Sequence, residues 1–167
     1  MKERLKDLIY GTALFFAKLH WRICKPVTFG SRVILINKEK FLLVQHRRSK
    51  TWNLPGGGIK KHENPELAGI RELYEETGLK IENMDYLLGT YISKGEGKHD
   101  TIYIYVKNTD ENILENTKIN LAMELQDAGW FDYNDLPETI TRNTKYRIDE
   151  YLTGKREVHG LWGEVNI

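Results

Sequence analysis

Pro55 and the run Gly56-Gly57-Gly58 break the chain just ahead of a strongly periodic stretch, and this pairing of breaker and helix constrains the fold most. Residues 64–77 read as a helix, with Gly78 as a natural residue to end it. A helix turns about 100° per residue. With Leu67 at zero, Leu73, Thr77, Ile70 and Tyr74 fall between roughly 240° and 340°. Glu75, Glu72 and Glu76 fall at roughly 80°, 140° and 180°. One face is therefore apolar and suited to a core, while the other gathers three carboxylates. Like charges at these spacings repel, so the cluster is a solvated face, a charge-network partner or a cation site.

The rest of the chain supplies strands for that helix to pack on. Two apolar, β-branched runs, 29–36 and 41–44, flank Asn37-Lys38-Glu39-Lys40 and read as a hairpin. A short strand at 52–54 leads into the glycines, which read as a loop. Further strands are expected at 84–92, 101–106 and 125–131, then a turn at 133–137 and a helix at 141–152. In 101–106, Ile102, Ile104 and Val106 alternate with Tyr103 and Tyr105. Tyr91, Tyr103 and Tyr105 could stack a base, although aromatic residues in strands are more often packing. Helices of unequal spacing among mixed strands predict an α/β or α+β sandwich rather than repeated βαβ units. At 167 residues there is length for one domain. The predicted organisation is a helical extension at 1–26, a domain at 27–152 and a C-terminal tail at 153–167.

Residues 1–20 begin with Lys2, Arg4 and Lys6, and carry Leu5, Leu8, Ile9, Thr12, Phe16 and Leu19 at helical spacing. No small-x-small cleavage site follows, and the apolar run is too short to span a bilayer. An amphipathic helix packed on its own domain or on a second subunit, as in a homodimer, is the expectation. Its cationic flanks also suit contact with a membrane surface. Lys and Arg (25) nearly balance Asp and Glu (24). That balance argues against a nucleic-acid partner, which would call for a basic excess. Cys24 stands alone, which excludes an intrachain disulfide and favours a reducing, cytoplasmic location.

Chemistry concentrates in the loop and helix from Gly56 to Leu79, with a basic loop upstream. The triple glycine lets backbone approach a ligand closely. Arg71 lies four residues before Glu75, where it can orient a carboxylate. The loop His46-Arg47-Arg48-Ser49-Lys50 is basic and suits phosphate oxygens. Carboxylates with a backbone carbonyl suit a hard cation, Mg²⁺ or Mn²⁺. Together with the basic loop they point to phosphoryl chemistry. The five histidines show no zinc spacing, and neither a G-x-S-x-G elbow nor a G-x-x-x-x-G-K-[ST] loop is present.

These residues carry a resemblance. Gly57, Glu63, Arg71-Glu72-Leu73, Glu75-Glu76 and Gly78-Leu79 match every specified position of the Nudix signature, G-x5-E-x7-R-E-U-x-E-E-x-G-U with U apolar. Trp52-Asn53-Leu54-Pro55 ahead of it, and Trp130-Phe131 with Leu136-Pro137 behind it, also resemble that family, over roughly residues 27–152. The resemblance implies a Nudix α/β/α sandwich with a mixed sheet, to which the N-terminal helix is an addition. It implies metal binding by Glu72, Glu75, Glu76 and the Gly56 carbonyl, with Glu63 and Arg71 orienting the cluster. A further glutamate from a distant loop, Glu124 or else Glu96, would serve as ligand or base, and Glu75 is the other candidate base. Arg47, Arg48 and Gly57 are the candidate substrate contacts, and Lys60 and Lys61 read as a solvated face that could add phosphate contacts. The implied activity is Mg²⁺- or Mn²⁺-dependent hydrolysis of a small-molecule diphosphate: a nucleotide, nucleotide sugar or dinucleoside polyphosphate. An RNA 5′-end pyrophosphohydrolase and a non-catalytic nucleotide-binding module are the alternatives.

Overall fold

The computed structural model describes residues 27–93, 99–109 and 122–163. The expected helix at 1–20, Cys24 and Glu96 lie outside them. In chain order the elements are β1 (Val27–Asn37), β2 (Lys40–His46), β3 (Trp52–Asn53), β4 (Gly56–Gly58) and α1 (Pro65–Thr77). There follow β5 (Tyr86–Ser93), β6 (His99–Thr109), β7 (Leu125–Phe131), α2 (Arg142–Leu152) and β8 (Val158–Leu161). All eight strands join one mixed sheet with the path β3-β2-β1-β6-β5-β8, β4 pairing with β1 and β7 with β2.

Strand β1 is the axis of this sheet. It runs parallel to β6 along its whole length, from Val27 opposite His99 to Asn37 opposite Thr109. Its alternation sends Val33 and Leu35 to one face and Ile34 and Ile36 to the other, the period of two that a strand buried on both sides requires. On the first face they pack with Leu42, Leu73, Leu79 and Met84 under α1. On the second they pack with Phe41, Leu43, Leu54, Leu88, Ile104, Val106 and Ile148 under α2. The result is the expected helix–sheet–helix sandwich. Tyr91, considered above as a base-stacking residue, is a fully buried member of the α2-side core.

Two expectations change. The glycine run is a strand rather than a loop. Beyond the hairpin end, where Ile36 and Asn37 pair with Phe41 and Lys40, β1 and β2 take other partners. The segment 52–58 supplies two of them: Trp52 and Asn53 pair with β2, while Gly56–Gly58 pair with Arg32, Ser31 and Gly30 of β1. Nor is 153–167 simply a tail. Its residues 158–161 form β8, parallel to β5 at the sheet edge. The anchor is a buried ion pair between Arg147 and Glu150 (3.2 Å), whose carboxylate also accepts from the Tyr91 hydroxyl at 2.6 Å. The Arg147 guanidinium lies over the Tyr91 ring at 3.9 Å and 5.9 Å from the Trp162 ring. No helix among the described residues is long and apolar enough to cross a membrane.

The hairpin turn carries a testable cost. Lys38 and Glu39 both have positive φ (49° and 65°), the two-residue geometry that favours Asn-Gly. Left-handed backbone costs a side-chain-bearing residue about 1–2 kcal/mol, part of which a glycine returns in unfolded-state entropy. Glu39→Gly is therefore expected to raise stability by about 0.5–1 kcal/mol, read as a higher urea midpoint at unchanged m-value.

Candidate active site

Local signals place α1 with little freedom. Asn64 caps its first turn, accepting from the Glu66 and Leu67 amides at 2.8 and 3.4 Å, and Pro65 starts it. Gly78 ends it in the left-handed region (φ 75°), returning its amide to the Tyr74 carbonyl. The rotation of the helix differs from the simple apolar projection. Leu67 and Tyr74 are exposed, whereas Ala68, Gly69, Leu73, Glu76 and Thr77 are buried. The reason is close approach: a Cβ on Gly69 would stand 2.8 Å from Ser31 Oγ and 3.3 Å from Val33 Cγ2. The small face of the helix sits on β1, and Glu76 goes inward with it.

Arg71 organises what remains outside. Its Nε and Nη2 donate to the two oxygens of Glu63 at 2.7 and 2.9 Å, a bidentate fork. Nη1 donates to Glu72 at 2.7 Å and Glu75 at 3.1 Å, and Nη2 also reaches the Gly58 carbonyl at 2.9 Å. The Glu63 carboxyl is pulled down to about 2, chiefly by its Arg71 hydrogen bonds and then by the Lys60 amide at 2.8 Å. The Lys60 ammonium stands 3.8 Å from Glu75.

Glu76 is 4 % exposed and accepts from the Gly56 amide at 2.7 Å. Burial pushes its carboxyl up to about 7 against that hydrogen bond and nearby Arg32, with Glu72 and Glu124 adding to the rise. Glu124 is thus brought into the electrostatic range of the helix cluster from the segment before β7. That segment is held in place by the Ala122 amide on the Glu76 carbonyl (3.2 Å) and the Arg47 amide on the Glu124 carbonyl (3.0 Å). The Arg47 side chain is committed there as well, donating to the Met123 and Leu125 carbonyls at 3.3 and 3.1 Å. Expected as a phosphate contact, it clamps the backbone on either side of Glu124. Arg48 is exposed in the turn after β2.

Gly56 and Gly57 are required for different reasons. Gly56 has φ 136°, and a Cβ there would lie 2.2 Å from the Ser31 carbonyl oxygen. At Gly57 the obstruction is the site itself: a Cβ would lie 2.4 Å from Glu72 Cδ. Among the described residues no three acidic, histidine or cysteine side chains converge as a ready cation cage. Glu72 and Glu75 turn to Arg71, and Glu76 to Gly56. The donors are nevertheless all hard carboxylate oxygens, one of them buried beside two further carboxylates, a set that fits Mg²⁺ or Mn²⁺.

Sequence reading overlooked Arg32. It sits on β1 opposite Gly56, and its guanidinium interacts electrostatically with Glu76 and Glu72. The available signal was an arginine directly ahead of the apolar run 33–36.

Residues 28–152 match the NUDIX domain. This chain belongs to the Nudix family. Over 99 residues it is 35 % identical to a human diphosphoinositol polyphosphate phosphohydrolase, covering 58 % of this chain and 51 % of that protein. Over 122 residues it is 32 % identical to the m7GpppN-mRNA hydrolase of Saccharomyces cerevisiae, covering 71 % of this chain and 12 % of that one. The chain spans about half the length of the phosphohydrolases it matches. A MutT NUDIX hydrolase from Burkholderia pseudomallei has the same fold, with a TM-score of 0.64 at 23 % identity over 74 % of this chain and 97 % of that one.

Within this Nudix site the two glycines should respond differently to alanine. Gly56→Ala meets backbone in a strained conformation and is expected to cost about 3 kcal/mol or more in urea unfolding. Gly57→Ala meets only the end of a side chain. It should stay within about 1 kcal/mol of wild type yet weaken Mg²⁺ binding about 10- to 100-fold by calorimetry. The Glu63 carboxyl adds a pH signature. Because its folded pKa is depressed, its contribution is complete above the ordinary glutamate range and is lost as pH falls toward 2. Glu63→Gln should flatten the decline of stability between about pH 5 and 2, followed as urea midpoints.

Proposed function

We propose that this Nudix chain is a Mg²⁺-dependent pyrophosphohydrolase that cleaves the diphosphate of a nucleoside diphosphate linked to another moiety. The nucleotide, nucleotide-sugar and dinucleoside polyphosphate classes are its candidate substrates. The observation that carries this reading is the carboxylate set on α1, with Glu72 and Glu75 held by Arg71 and Glu76 buried against Gly56. Cytoplasmic residence belongs to the same reading and rests on the single cysteine.

A diphosphate is strongly anionic and repels an incoming hydroxide. A bound divalent ion would neutralise phosphate oxygens and acidify an attacking water. Glu72, Glu75 and Glu76 are the residues to hold it, with backbone at Gly56 beside them. Arg71 and Glu63 orient two of these carboxylates without touching substrate, since the Arg71 nitrogens are already engaged with Glu63, Glu72, Glu75 and Gly58. The proton of the attacking water goes to a carboxylate, Glu75 or Glu124. The Glu75 side chain is half exposed, whereas Glu124 is fixed through its flanking backbone by Arg47. With Arg47 committed, Arg48 keeps the proposed contact to the distal phosphate.

A second reading replaces the nucleoside with a polyphosphorylated inositol, favoured by matches of 33–35 % identity to proteins named diphosphoinositol polyphosphate phosphohydrolases. One panel separates these readings. Nucleotide sugars, dinucleoside polyphosphates, a diphosphoinositol polyphosphate and capped RNA are offered to the full chain with Mg²⁺ or with EDTA. The highest kcat/KM is expected in the nucleotide group and is abolished by EDTA; a higher value on the inositol compound or RNA transfers the assignment. Glu75→Gln and Glu76→Gln should each lower kcat about 10²- to 10⁴-fold. Turnover that survives both changes would sink the mechanism.

A further inference from the structure

We propose that Arg32 is a substrate-binding residue of this site, its guanidinium donating to the phosphate oxygens of the bound diphosphate. The inference rests on the pyrophosphohydrolase reading and adds to it a residue outside the Nudix signature.

Arg32 is carried on β1 directly opposite Gly56, the residue whose amide holds Glu76. The backbones are so close there that a Cβ on Gly56 would stand 2.8 Å from Arg32 Cα. The Arg32 guanidinium interacts electrostatically with Glu76 and Glu72, and its charge is felt by His46, which also senses Glu124. It therefore lies within electrostatic reach of Glu76 and Glu72, two of the carboxylates assigned to the metal. Its Nη1 is nevertheless buried without a hydrogen-bond partner. Buried donors of a charged group are rarely left so, and such an atom calls for an explanation.

The neighbouring carboxylates do not supply one. They balance the charge of Arg32, but neither takes its Nη1 donor: Glu76 Oε2 accepts from the Gly56 amide and Glu72 Oε1 from Arg71. Two other cations of the site are similarly spent. Arg71 is engaged by Glu63, Glu72, Glu75 and the Gly58 carbonyl, and Arg47 by the Met123 and Leu125 carbonyls. Arg32 is thus a cation in the field of two carboxylates with a donor still to place. A diphosphate brings the acceptors that are missing, and a planar guanidinium fork matches phosphate oxygens where an ammonium would not.

The test uses methylenediphosphonate, whose P–C–P bridge cannot be hydrolysed, with the full chain at fixed Mg²⁺. Calorimetry compares wild type with Arg32→Lys and Arg32→Gln, and arginine side-chain ¹⁵N resonances are followed in wild type alone, where folding of a variant is not at issue. Arg32→Gln is expected to weaken binding about 10- to 100-fold and to raise KM more than it lowers kcat on the best substrate. Arg32→Lys should recover part of the loss, and the Arg32 Nη resonances should move as the probe saturates. Unmoved resonances at saturation, or Gln-variant binding within twofold of wild type, would overturn the proposal and leave the pyrophosphohydrolase reading standing. A wild type that neither binds the probe nor hydrolyses any diphosphate overturns both.

Discussion

The Arg71 guanidinium is where the helix, the glycine strand and their connecting loop are joined. It grips Glu63 from the loop with two bonds, Glu72 and Glu75 from its own helix, and the Gly58 carbonyl from β4. Removing it would leave adjacent carboxylates repelling one another with nothing to hold the loop to the helix. Exposed ion pairs contribute little singly. Here the Arg71 and Glu63 side chains are each under a fifth exposed and the bonds form a fork, so the network serves geometry more than stability. It keeps the carboxylates Glu72 and Glu75 beside the glycine backbone.

The second constraint is the change of partners along β1. Were β2 to continue beside it, no backbone could enter between them. Because β1 exchanges β2 for Gly56–Gly58, the glycine amides come to lie against the helix, and Glu76 finds a donor in a buried setting. Only glycine permits that approach at Gly56, where positive φ and contact with the Ser31 carbonyl coincide. The same departure brings the end of β2, with His46 and Arg47, toward Glu124 and Arg32. Fold and site are consequences of one wedge in the sheet.

Much of this was legible in the chain. The range 64–77 and the end at Gly78 bounded α1 correctly because helix ends are set by residues within a turn of where they stand. The alternation of Ile102, Ile104 and Val106 against Tyr105 predicted opposite faces, and the two cores divide them that way. Of the signature residues, Glu63, Glu72 and Glu75 meet on Arg71, while Glu76 lies inward on the Gly56 amide. What failed depended on partners distant in sequence. The apolar projection left Leu67 inside and Glu76 outside, because periodicity cannot show that Gly69 lets the helix settle on Ser31 and Val33. That Arg47 also grips backbone 76 residues later could not be read from its neighbours.

By itself, then, the sequence determined the helix, its ends, the strands that cover it and the presence of three carboxylates beside a glycine run, since these follow from short-range propensity and spacing. Tertiary structure decided how those groups face one another. It made a strand of Gly56–Gly58, drew 158–161 into the sheet beside β5, and brought Arg32 within electrostatic reach of Glu72 and Glu76. The physical reason is the same in each case. Burial and pairing across the sheet set the environment of a side chain, and neither is encoded by the residues next to it.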